Sequence, residues 1–305
     1  MTRVTTPFTV RTTAAEVLQG VDLTGRRILV TGGGSGLGAA AANALAGAGA
    51  EVTATTRAQL DLADLGSVRD FTAAWRGPLH AIVANAGIMA LPALTHAANG
   101  WELQLATNYL GHFALITGLH EHLRAAGGAR IVMVSSGAQL GSPVHFDDPH
   151  FARRPYDPWA AYSQSKTADV LLAVGAAQRW AADGITANAM APGRIHTALQ
   201  RHLDPDTMRS MGAMDAAGDL LHPENFRTPE QGASTEVLLA ASPLLADVTG
   251  RYFDEDNQEG VTGENVAAWA LDPDAADRLW ELGTQALNGA LAGPSLAERS
   301  KPVRQ

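Results

Sequence analysis

The chain has 305 residues and a net charge of −9, with 46% hydrophobic and 17% charged residues. This composition describes a globular protein with a core large enough for one α/β domain. The acidic balance argues against nucleic-acid binding, which requires clustered Lys and Arg, and the absence of cysteine excludes disulfides, thiol nucleophiles and Cys-ligated zinc.

No leader or membrane segment is evident. Residues 1–23 contain no apolar run of signal-peptide length, and no uncharged apolar stretch is long enough to span a bilayer. We therefore expect a cytoplasmic protein without a membrane partner. No repeat or linker divides the chain, so we expect one domain over residues 1–305, with a substrate lid at about 196–228 and a C-terminal extension at about 254–305.

Short apolar runs alternate with Ala-rich helical stretches along the chain. The predicted strands are Arg27–Thr31, Glu51–Ala54, Ala81–Ala84, Arg130–Ser135, Thr186–Met190 and Gly250–Phe253. The predicted helices are Leu37–Gly47, Leu65–Trp75, Gly100–Ala126, Trp159–Asp183, Pro229–Ala241 and Asp274–Leu287. This alternation predicts a single doubly wound parallel sheet in three layers, α/β/α, with helices on both faces.

The connection after the second predicted strand is unusually short. Only a few residues separate Thr56 from Asp61, whereas a parallel crossover needs about a dozen or more. We therefore expect the helix after the second strand to be missing, and the edge strand that would follow it to be short or absent.

A glycine-rich loop follows the first predicted strand. Residues 31–38 read Thr-Gly-Gly-Gly-Ser-Gly-Leu-Gly and open into an Ala-rich helix. Glycines there permit a tight turn, let the backbone approach a pyrophosphate and place that anion at a helix N-terminus. A glycine cluster alone could be a surface turn, but the strand before it and the helix after it favour dinucleotide binding in a Rossmann-type fold.

The end of the second predicted strand bears on which dinucleotide binds. NAD sites usually place Asp or Glu about 20 residues past the glycines, where the carboxylate binds the ribose 2′-hydroxyl. Here that position is Thr56, followed by Arg57. A neutral residue followed by a cation suits a 2′-phosphate, which favours NADP(H) over NAD(H). The alternative is that Arg57 is an ordinary surface arginine.

Tyr162 and Lys166 are four residues apart and therefore share one face of a predicted helix. A phenol has a pKa of about 10 and is a poor base at neutral pH, but a neighbouring ammonium stabilises its phenolate. The chain has only two lysines, Lys166 and Lys301, among 22 basic residues, which argues against a chance surface pair. Tyr156 is rejected as a rival because Ala160, four residues further on, carries no charge.

Taken in order, these motifs resemble those of the short-chain dehydrogenases/reductases. The resemblance spans roughly Leu23 to Phe253 and rests on Thr31–Gly38, Asn85-Ala86-Gly87, Tyr162-x-x-x-Lys166 and Pro192-Gly193. The chain is most similar to the branch of retinol dehydrogenases and WW-domain oxidoreductases. The shared features are Arg57 at the end of the second strand, extra residues between Ser and Tyr, and Thr228–Gly232 leading to Gly250–Phe253. The missing helix after Arg57 departs from the family pattern beside the expected adenine pocket.

The resemblance implies an oxidoreductase with four catalytic residues, Asn108, Ser136, Tyr162 and Lys166. NADPH would deliver a hydride to a carbonyl carbon while Tyr162 protonates the oxygen, and Lys166 would hold the nicotinamide ribose. Ser136 would bind the substrate oxygen, with Ser135 as a structural neighbour, and Asn108 would order a water relay. The implied cofactor contacts are Gly32, Gly34, Ser35, Gly36, Leu37, Gly38, Arg57, Asp61, Leu62, Asn85, Ala86, Gly87, Tyr162, Lys166, Pro192, Gly193, Ile195 and Thr197.

Two segments are expected to form the substrate cavity. Residues 137–159 carry Phe146, Phe151, Tyr156 and Trp159, and residues 196–226 carry Met208, Met211 and Met214. Methionines on a mobile element suit irregular apolar ligands, although these three could equally face the core. We expect a moderately large, apolar or aromatic carbonyl compound or alcohol. The spacing of His145, His150, His196 and His202 matches no metal-ligand pattern, so no metal is expected.

Other functions remain open. Extended-type nucleotide-sugar epimerases or dehydratases also use Tyr-x-x-x-Lys, but usually with the glycine spacing Thr-Gly-x-x-Gly-x-x-Gly, which this chain lacks. A non-catalytic NADP-binding sensor or scaffold would not need all four catalytic residues. The resemblance further implies a homodimer or homotetramer that assembles through the helices carrying Asn108 and Tyr162.

Overall fold

The computed structural model describes residues 2–195 and 226–292, together with the single residues 209, 215 and 221. The strands in this part of the chain are β1 (Arg27–Thr31), β2 (Glu51–Thr55), β3 (Ala81–Ala84), β4 (Arg130–Val134), β5 (Thr186–Met190) and β6 (Tyr252–Phe253). They form one sheet in the order β2-β1-β3-β4-β5-β6, and every pairing is parallel. The predicted doubly wound parallel sheet is confirmed.

The helices are α1 (Ala14–Val17), α2 (Gly36–Gly47), α3 (Leu65–Ala74), α4 (Leu103–Leu105), α5 (Gly111–Gly118), α6 (His120–Arg124), α7 (Pro158–Trp180), α8 (Pro229–Gly232), α9 (Ser234–Ala241) and α10 (Pro273–Ala292). Short 3₁₀ segments cover Gly137–Gly141, Ala181–Asp183, Pro243–Leu245 and Ala268–Ala270. Among the described residues, no helix combines the length and apolar character that crossing a membrane requires.

The prediction of one continuous helix over residues 100–126 was wrong. A π-helical turn, Ala106–Leu110, lies between α4 and α5. A second break falls at Leu119, directly after Gly118, a residue of low helix propensity. The predicted helix over residues 229–241 is likewise divided, at Ala233.

Helix α7 begins sharply and lies within the core. Asp157 caps its N-terminus by accepting a hydrogen bond from the backbone N–H of Ala160 at 2.7 Å, and Pro158 fixes the first turn. The chain leaves the helix at Gly184, which has a φ of 71°. Its residues are buried almost continuously from Ala161 to Ala177, because the sheet lies on one side and α10 on the other. Polar side chains on this helix therefore point into the protein interior.

Two apolar clusters cover the two faces of the sheet. One joins α3, α5, α7 and α10 to the strands through residues such as Leu29, Ile82 and Ile131. The other joins α1, α2 and α9 to the opposite face through Val30, Val83 and other side chains of the same strands. Because successive strand residues point to opposite faces, both clusters draw on the same short, largely apolar strands.

Helix α10 lies against the outer side of α7 and the π-turn. The Tyr109 hydroxyl donates to the Leu279 carbonyl at 2.6 Å, and the rings of Phe113 and Trp280 meet edge to face at 5.0 Å. Arg179 on α7 pairs with Asp277 on α10 at 2.9 Å. Helix α10 thus covers part of the surface of the helices that carry Asn108 and Tyr162, and the expected homo-oligomer stays a prediction.

The short connection after β2 is confirmed. Between Thr55 and Leu65 the chain makes turns and no helix, so β2 forms one edge of the described sheet. The turn packs directly on α5: a Cβ atom built on Gly111 would lie only 2.2 Å from the Leu62 carbonyl oxygen. The predicted lid lies largely outside the described residues. The expected C-terminal extension begins where β6 ends and includes α10.

We expect Gly111→Ala to lower stability by roughly 1–3 kcal/mol, because the added methyl group would overlap the backbone of Leu62 in a packed contact. Urea unfolding monitored by circular dichroism measures the change. Gly289→Ala in α10 is the matched control, since nothing lies within 4 Å of its added Cβ. An equal effect of both substitutions would contradict the close approach of α5 to the turn.

Candidate active site

A cavity of about 1270 Å³ opens at the carboxyl edge of the sheet. The residues that end or follow the strands line it, among them Thr31, Thr55, Ser135 and Ala191. Open parallel sheets bind their ligands at this edge, because the loops that leave the strands converge there. The cavity is therefore the candidate functional site.

The glycine-rich loop forms one wall of this cavity. Gly32 and Gly36 have φ angles of 67° and 54°, in the region that other residues rarely adopt. A Cβ atom on Gly38 would lie 2.4 Å from the Asn85 side-chain nitrogen and 2.6 Å from the Gly32 carbonyl oxygen. The Asn85 side chain in turn donates to the Thr31 carbonyl at 2.8 Å. The loop can close this tightly only with glycines at these positions.

The first turn of α2 is free to receive an anion. Ser35 precedes the helix in an extended conformation, and its side chain makes no capping hydrogen bond to the helix. No acidic residue lies in the first turn. The exposed N–H groups and the helix dipole therefore favour a phosphate at this point. Ser35, Gly36 and Leu37 line the cavity, whereas Gly34 packs behind the loop against Thr56.

The far end of the cavity, beside β2, carries one exposed ion pair. Arg57 and Asp61 are joined by a 3.1 Å contact, and the Arg57 side chain is 79% exposed. The Thr56 backbone N–H and hydroxyl both donate to Gln59. Arg57, Asp61 and Leu62 line the cavity, as does the Asn85-Ala86-Gly87 segment. A cation at this rim is placed to meet an anionic group of a bound ligand, with Asp61 as its present partner.

Tyr162 and Lys166 lie side by side at the floor of the cavity. Both are buried in α7, and the Lys166 Nζ atom is 5.8 Å from the centre of the Tyr162 ring. Two of the three Nζ hydrogens are used, one on the Val134 carbonyl at 2.9 Å and one on Asp169 Oδ2 at 2.8 Å. One donor is left toward the cavity that both residues line.

Tyr162 is protonated at neutral pH in this environment. Burial raises the pKa of its phenol, while Lys166 and a hydrogen bond with the Ser136 side chain lower it, and Asp169 raises it further. The balance leaves the pKa above its ordinary value. The phenol is therefore a proton donor at neutral pH, and the positive charge of Lys166 stabilises the phenolate that forms when the proton leaves.

The two serines after β4 have different surroundings. The Ser135 hydroxyl donates to the Lys166 backbone carbonyl at 2.7 Å and so joins the strand end to α7. The Ser136 hydroxyl accepts from the Ala138 N–H at 3.2 Å and lies near enough to Tyr162 to lower the pKa of its phenol. Both serines line the cavity, but Ser136 is the one whose hydroxyl meets the Tyr162 phenol.

Asn108 lies in the π-turn, buried beneath the cavity wall. Its side chain exchanges hydrogen bonds with the Ile88 backbone, at 2.9 and 3.0 Å, and donates to the Ser165 hydroxyl at 2.9 Å. A Cβ on Gly87 would lie 3.2 Å from Asn108 Oδ1 and 3.6 Å from Lys166 Nζ. Gly87 thus occupies the narrow space between the two side chains.

Sequence reasoning missed His112. Its Nδ1 donates to the Asn108 carbonyl at 2.8 Å, so its Nε2 accepts from the Thr31 hydroxyl at 3.0 Å. Burial lowers the pKa of His112 to about 4, with a further lowering by Lys166. The neutral imidazole therefore links the start of the glycine loop to the π-turn. No spacing in the sequence indicates this link.

The opposite end of the cavity is built from the loop after β5 and the residues after β6. Pro192, Gly193 and Ile195 line it, while the predicted contact Thr197 lies outside the described residues. Gly193 has a φ of 78°, and Glu255 packs directly against it. Sequence reasoning missed Glu255, together with Asp254, Arg194 and Phe226, which also line the cavity. The position of Asp254-Glu255 directly after the last strand could have indicated them.

Arg227 fastens this loop in place. Its guanidinium donates to the carbonyl oxygens of Val10 at 3.0 Å and Pro192 at 2.9 Å, and also to that of Gln231. Three segments far apart in sequence are thereby held together. The position of the loop beside the cavity follows from this one buried side chain.

The predicted aromatic wall is largely wrong. Trp159 lines the cavity and meets Tyr162 edge to face at 6.1 Å. Phe146 instead lies under Arg278, Phe151 lies under Arg154, and the Tyr156 hydroxyl donates to the Leu91 carbonyl. These three aromatic rings are occupied by their own partners and do not line the cavity. Met208, Met211 and Met214 lie outside the described residues, as do His196 and His202.

Met89 completes this wall, and Ala90 packs in the same apolar cluster with Trp159 and Tyr162. Ala90 has a φ of 49°, an uncommon angle for a residue with a Cβ, and its N–H donates to the Gln104 side chain at 2.7 Å. His145 and His150, considered above for metal binding, lie apart from the catalytic side chains. His150 packs on Trp101 at 4.8 Å between ring centres.

Comparison with known proteins supports one chemistry for this arrangement. A family model described as short chain dehydrogenase matches residues 58–207. A probable oxidoreductase of Streptomyces lividans is 62% identical over 297 residues, 88% of this chain and 99% of that protein. Human retinol dehydrogenase 13 is 35% identical over 248 residues, 80% of this chain and 71% of that protein.

A solved structure has the same fold and carries a dinucleotide. It is a Beutenbergia cavernae protein assigned as an NAD(P)-dependent gluconate 5-dehydrogenase, with NADP bound at low occupancy. The identity is 28% and the TM-score 0.58, covering 77% of this chain and 97% of that chain.

We expect Gly38→Ala to weaken the binding of a nicotinamide dinucleotide by at least about tenfold, because its methyl group would push apart Asn85 and the glycine loop. Fluorescence titration with the reduced dinucleotide measures the affinity. Gly47→Ala, at the other end of α2, has open space around its added Cβ and should bind as the wild type does. Wild-type affinity in Gly38→Ala would show that the loop does not hold the dinucleotide.

Proposed function

This chain belongs to the short-chain dehydrogenase/reductase family, close to its retinol dehydrogenase branch, and we propose that it is an NADP(H)-dependent enzyme that interconverts a carbonyl compound and an alcohol. The observation that carries the proposal is the group formed by Ser136 and the buried Tyr162 and Lys166 at the floor of a cavity whose other wall is a glycine-rich loop suited to a dinucleotide. Each of these two features could occur in a protein without the other. Around one cavity they would bring a hydride carrier and a proton donor together.

The cradle fits the proposed cofactor. The overlap that a Cβ at Gly38 would create, and the uncapped first turn of α2, suit close approach of a pyrophosphate. Thr56 and Arg57 at the β2 end suit a ribose 2′-phosphate. Pro192, Gly193 and Ile195 would meet the nicotinamide end, with Thr197 kept as a predicted contact. When bound, the reduced cofactor supplies a hydride to the substrate.

Tyr162 performs the proton transfer in this proposal. Its phenol is protonated at neutral pH and lies beside Ser136, so a substrate oxygen held by the Ser136 hydroxyl is within reach of both. As negative charge develops on that oxygen, the phenol releases its proton. In the oxidative direction the same residue, as phenolate, accepts the proton of the alcohol.

Lys166 and Asn108 support this step in different ways. The fixed ammonium of Lys166 stabilises the phenolate, and its remaining donor is placed to hold the nicotinamide ribose. Asn108 orders the Ile88 segment beside Gly87. In this proposal it also orders the water relay that returns a proton through Lys166 to Tyr162.

The substrate is proposed to be a moderately large, apolar or aromatic carbonyl compound. Met89, Leu91, Ala138 and Trp159 line the cavity beside Tyr162, so this end is largely apolar. An apolar wall stabilises a ligand by removing its surface from water, and a single polar centre at Tyr162 orients the reacting oxygen.

We expect Tyr162→Phe to reduce the turnover of ketones and aldehydes by roughly 10²–10⁴-fold while NADPH still binds, because only the proton donor is lost. Absorbance of NADPH measures turnover on a panel of apolar and aromatic carbonyls. Tyr156→Phe is the matched control, since Tyr156 does not line the cavity and its hydroxyl bonds to the Leu91 carbonyl and the Gln104 side chain. A wild-type protein that binds NADPH but reduces no member of the panel would favour a non-catalytic sensor.

We expect Arg57→Ala to lower the affinity for NADPH by about tenfold and to leave that for NADH nearly unchanged, because only NADPH carries the 2′-phosphate. Calorimetric titration with both dinucleotides measures the difference. Arg69→Ala removes an equally exposed arginine paired with Asp70, outside the cavity, and should change neither affinity. Equal wild-type affinities for NADPH and NADH would contradict the cofactor assignment.

A further inference from the structure

Lys166 has a buried partner that the mechanism above does not use. Asp169 lies one helical turn further along α7, with its side chain 1% exposed, and its Oδ2 atom is 2.8 Å from Lys166 Nζ. The other oxygen, Oδ1, is buried and finds no hydrogen-bond partner among the described residues. Burial raises the pKa of Asp169 to about 7 although Lys166 lowers it, so the side chain is a carboxylate above neutral pH. In that range it depends on Lys166 for its stabilisation, since a charge buried this deeply needs a counter-charge.

The other groups around the opposite charges of Lys166 and Asp169, close to Tyr162, are uncharged. Strand β4 provides the Val134 carbonyl that accepts from Lys166, the π-turn provides Asn108, and α5 provides the neutral imidazole of His112. These groups carry no charge at neutral pH.

The charged side chains on the other elements that pack on α7 have other partners. Glu102, at the start of α4, accepts from the backbone N–H groups of Gln104 and Leu105. Asp277 of α10 pairs with Arg179, and Arg179 lies ten residues, or about 15 Å, beyond Asp169 along α7. The 3₁₀ segment after Ser136 presents Gln139, whose side chain bonds to the backbone of Asn265 and Ala267. Asp169 is thus the acidic side chain in contact with Lys166 among the described residues.

An anion here acts on both members of the catalytic pair in the same sense. Burial by itself lowers the pKa of Lys166, but the attraction of Asp169 and Tyr162 and the hydrogen bond to Asp169 raise it overall. Asp169 also raises the pKa of Tyr162. Removal of the carboxylate would therefore make both groups lose their protons at lower pH.

We propose that Asp169 is a positioning residue for the reduction: its buried carboxylate holds the Lys166 ammonium in place beside Tyr162. The proposal rests on the proposed function, in which Tyr162 gives its proton to the substrate. Loss of one proton from the pair stops reduction whichever residue loses it, because the acid or the cation is then missing. Asp169 therefore sets the alkaline end of the pH range for reduction.

The charge of Lys166 can be measured without any turnover. The chain has two lysines, so protein labelled with ¹³C at lysine Cε gives two signals, and Lys301→Arg assigns them. In the wild type we expect the Lys166 signal to remain that of the ammonium to the highest pH at which the fold persists. Asp169→Asn, and Asp169→Ser as a smaller second variant, should move its titration down by about one pH unit or more.

Thr167→Val is the matched control for the labelled protein. The Thr167 hydroxyl is buried on the same helix and donates to the Gln139 and Ser142 carbonyls, so its loss perturbs packing without removing a charge. Its Lys166 signal should follow that of the wild type. An unchanged Lys166 titration in both Asp169 variants would overturn the proposal.

Kinetics give the second test. In Asp169→Asn the alkaline limb of kcat/KM for carbonyl reduction should fall by about one pH unit, whereas a merely structural role would lower kcat alike at every pH and leave the limb in place. A wild type without turnover on the carbonyl panel would defeat the proposed function. The Lys166 titration would still decide the role of Asp169.

Discussion

The ammonium of Lys166 is buried in a chain that otherwise uses arginine for nearly all its positive charge. Taking such a group out of water costs several kcal/mol unless its hydrogens find partners. Here the partners are the Val134 carbonyl and the Asp169 carboxylate. This requirement ties three things together: β4 must end at Val134, α7 must lie across that strand end, and the third hydrogen must face the cavity. The positions of Ser135 and Ser136 follow, since they are the two residues that come directly after the strand.

The part of the cavity wall between Lys166 and the glycine loop is compact. Gly87 lies between Asn108 and Lys166, and Gly38 lies against Asn85, at distances that no larger residue could occupy without displacing a neighbour. His112 joins the two regions through Thr31 and the Asn108 carbonyl. The glycine loop, the π-turn and the catalytic helix are therefore one hydrogen-bonded unit, and the chemistry proposed for it depends on their mutual spacing.

Strands were the most predictable feature, because a buried parallel strand is a short apolar run with polar residues at both ends. β1, β3 and β5 begin and end at the predicted residues. The helix predicted over residues 100–126 is divided by the π-turn and at Leu119, and the tertiary contacts of Asn108 in that turn leave no periodic trace in the sequence. The aromatic residues 146, 151 and 156 were misplaced for a related reason: rings in a long loop suggest a ligand wall, but here Arg278, Arg154 and Gln104 engage them. Asp169 was within reach, since it follows Lys166 by three residues on a helix.

The short connection after β2 has a consequence for the β2 end of the cavity. With no crossover helix beside it, Arg57 meets solvent over most of its surface, and its present partner is the half-buried Asp61. Charges in such a position are screened by dissolved salt over about 10 Å at 0.1 M ionic strength, unlike those enclosed around Lys166. Any preference that Arg57 confers between two dinucleotides therefore depends on the ionic strength of the solution. The preference is strongest in dilute buffer and weaker at high salt concentration.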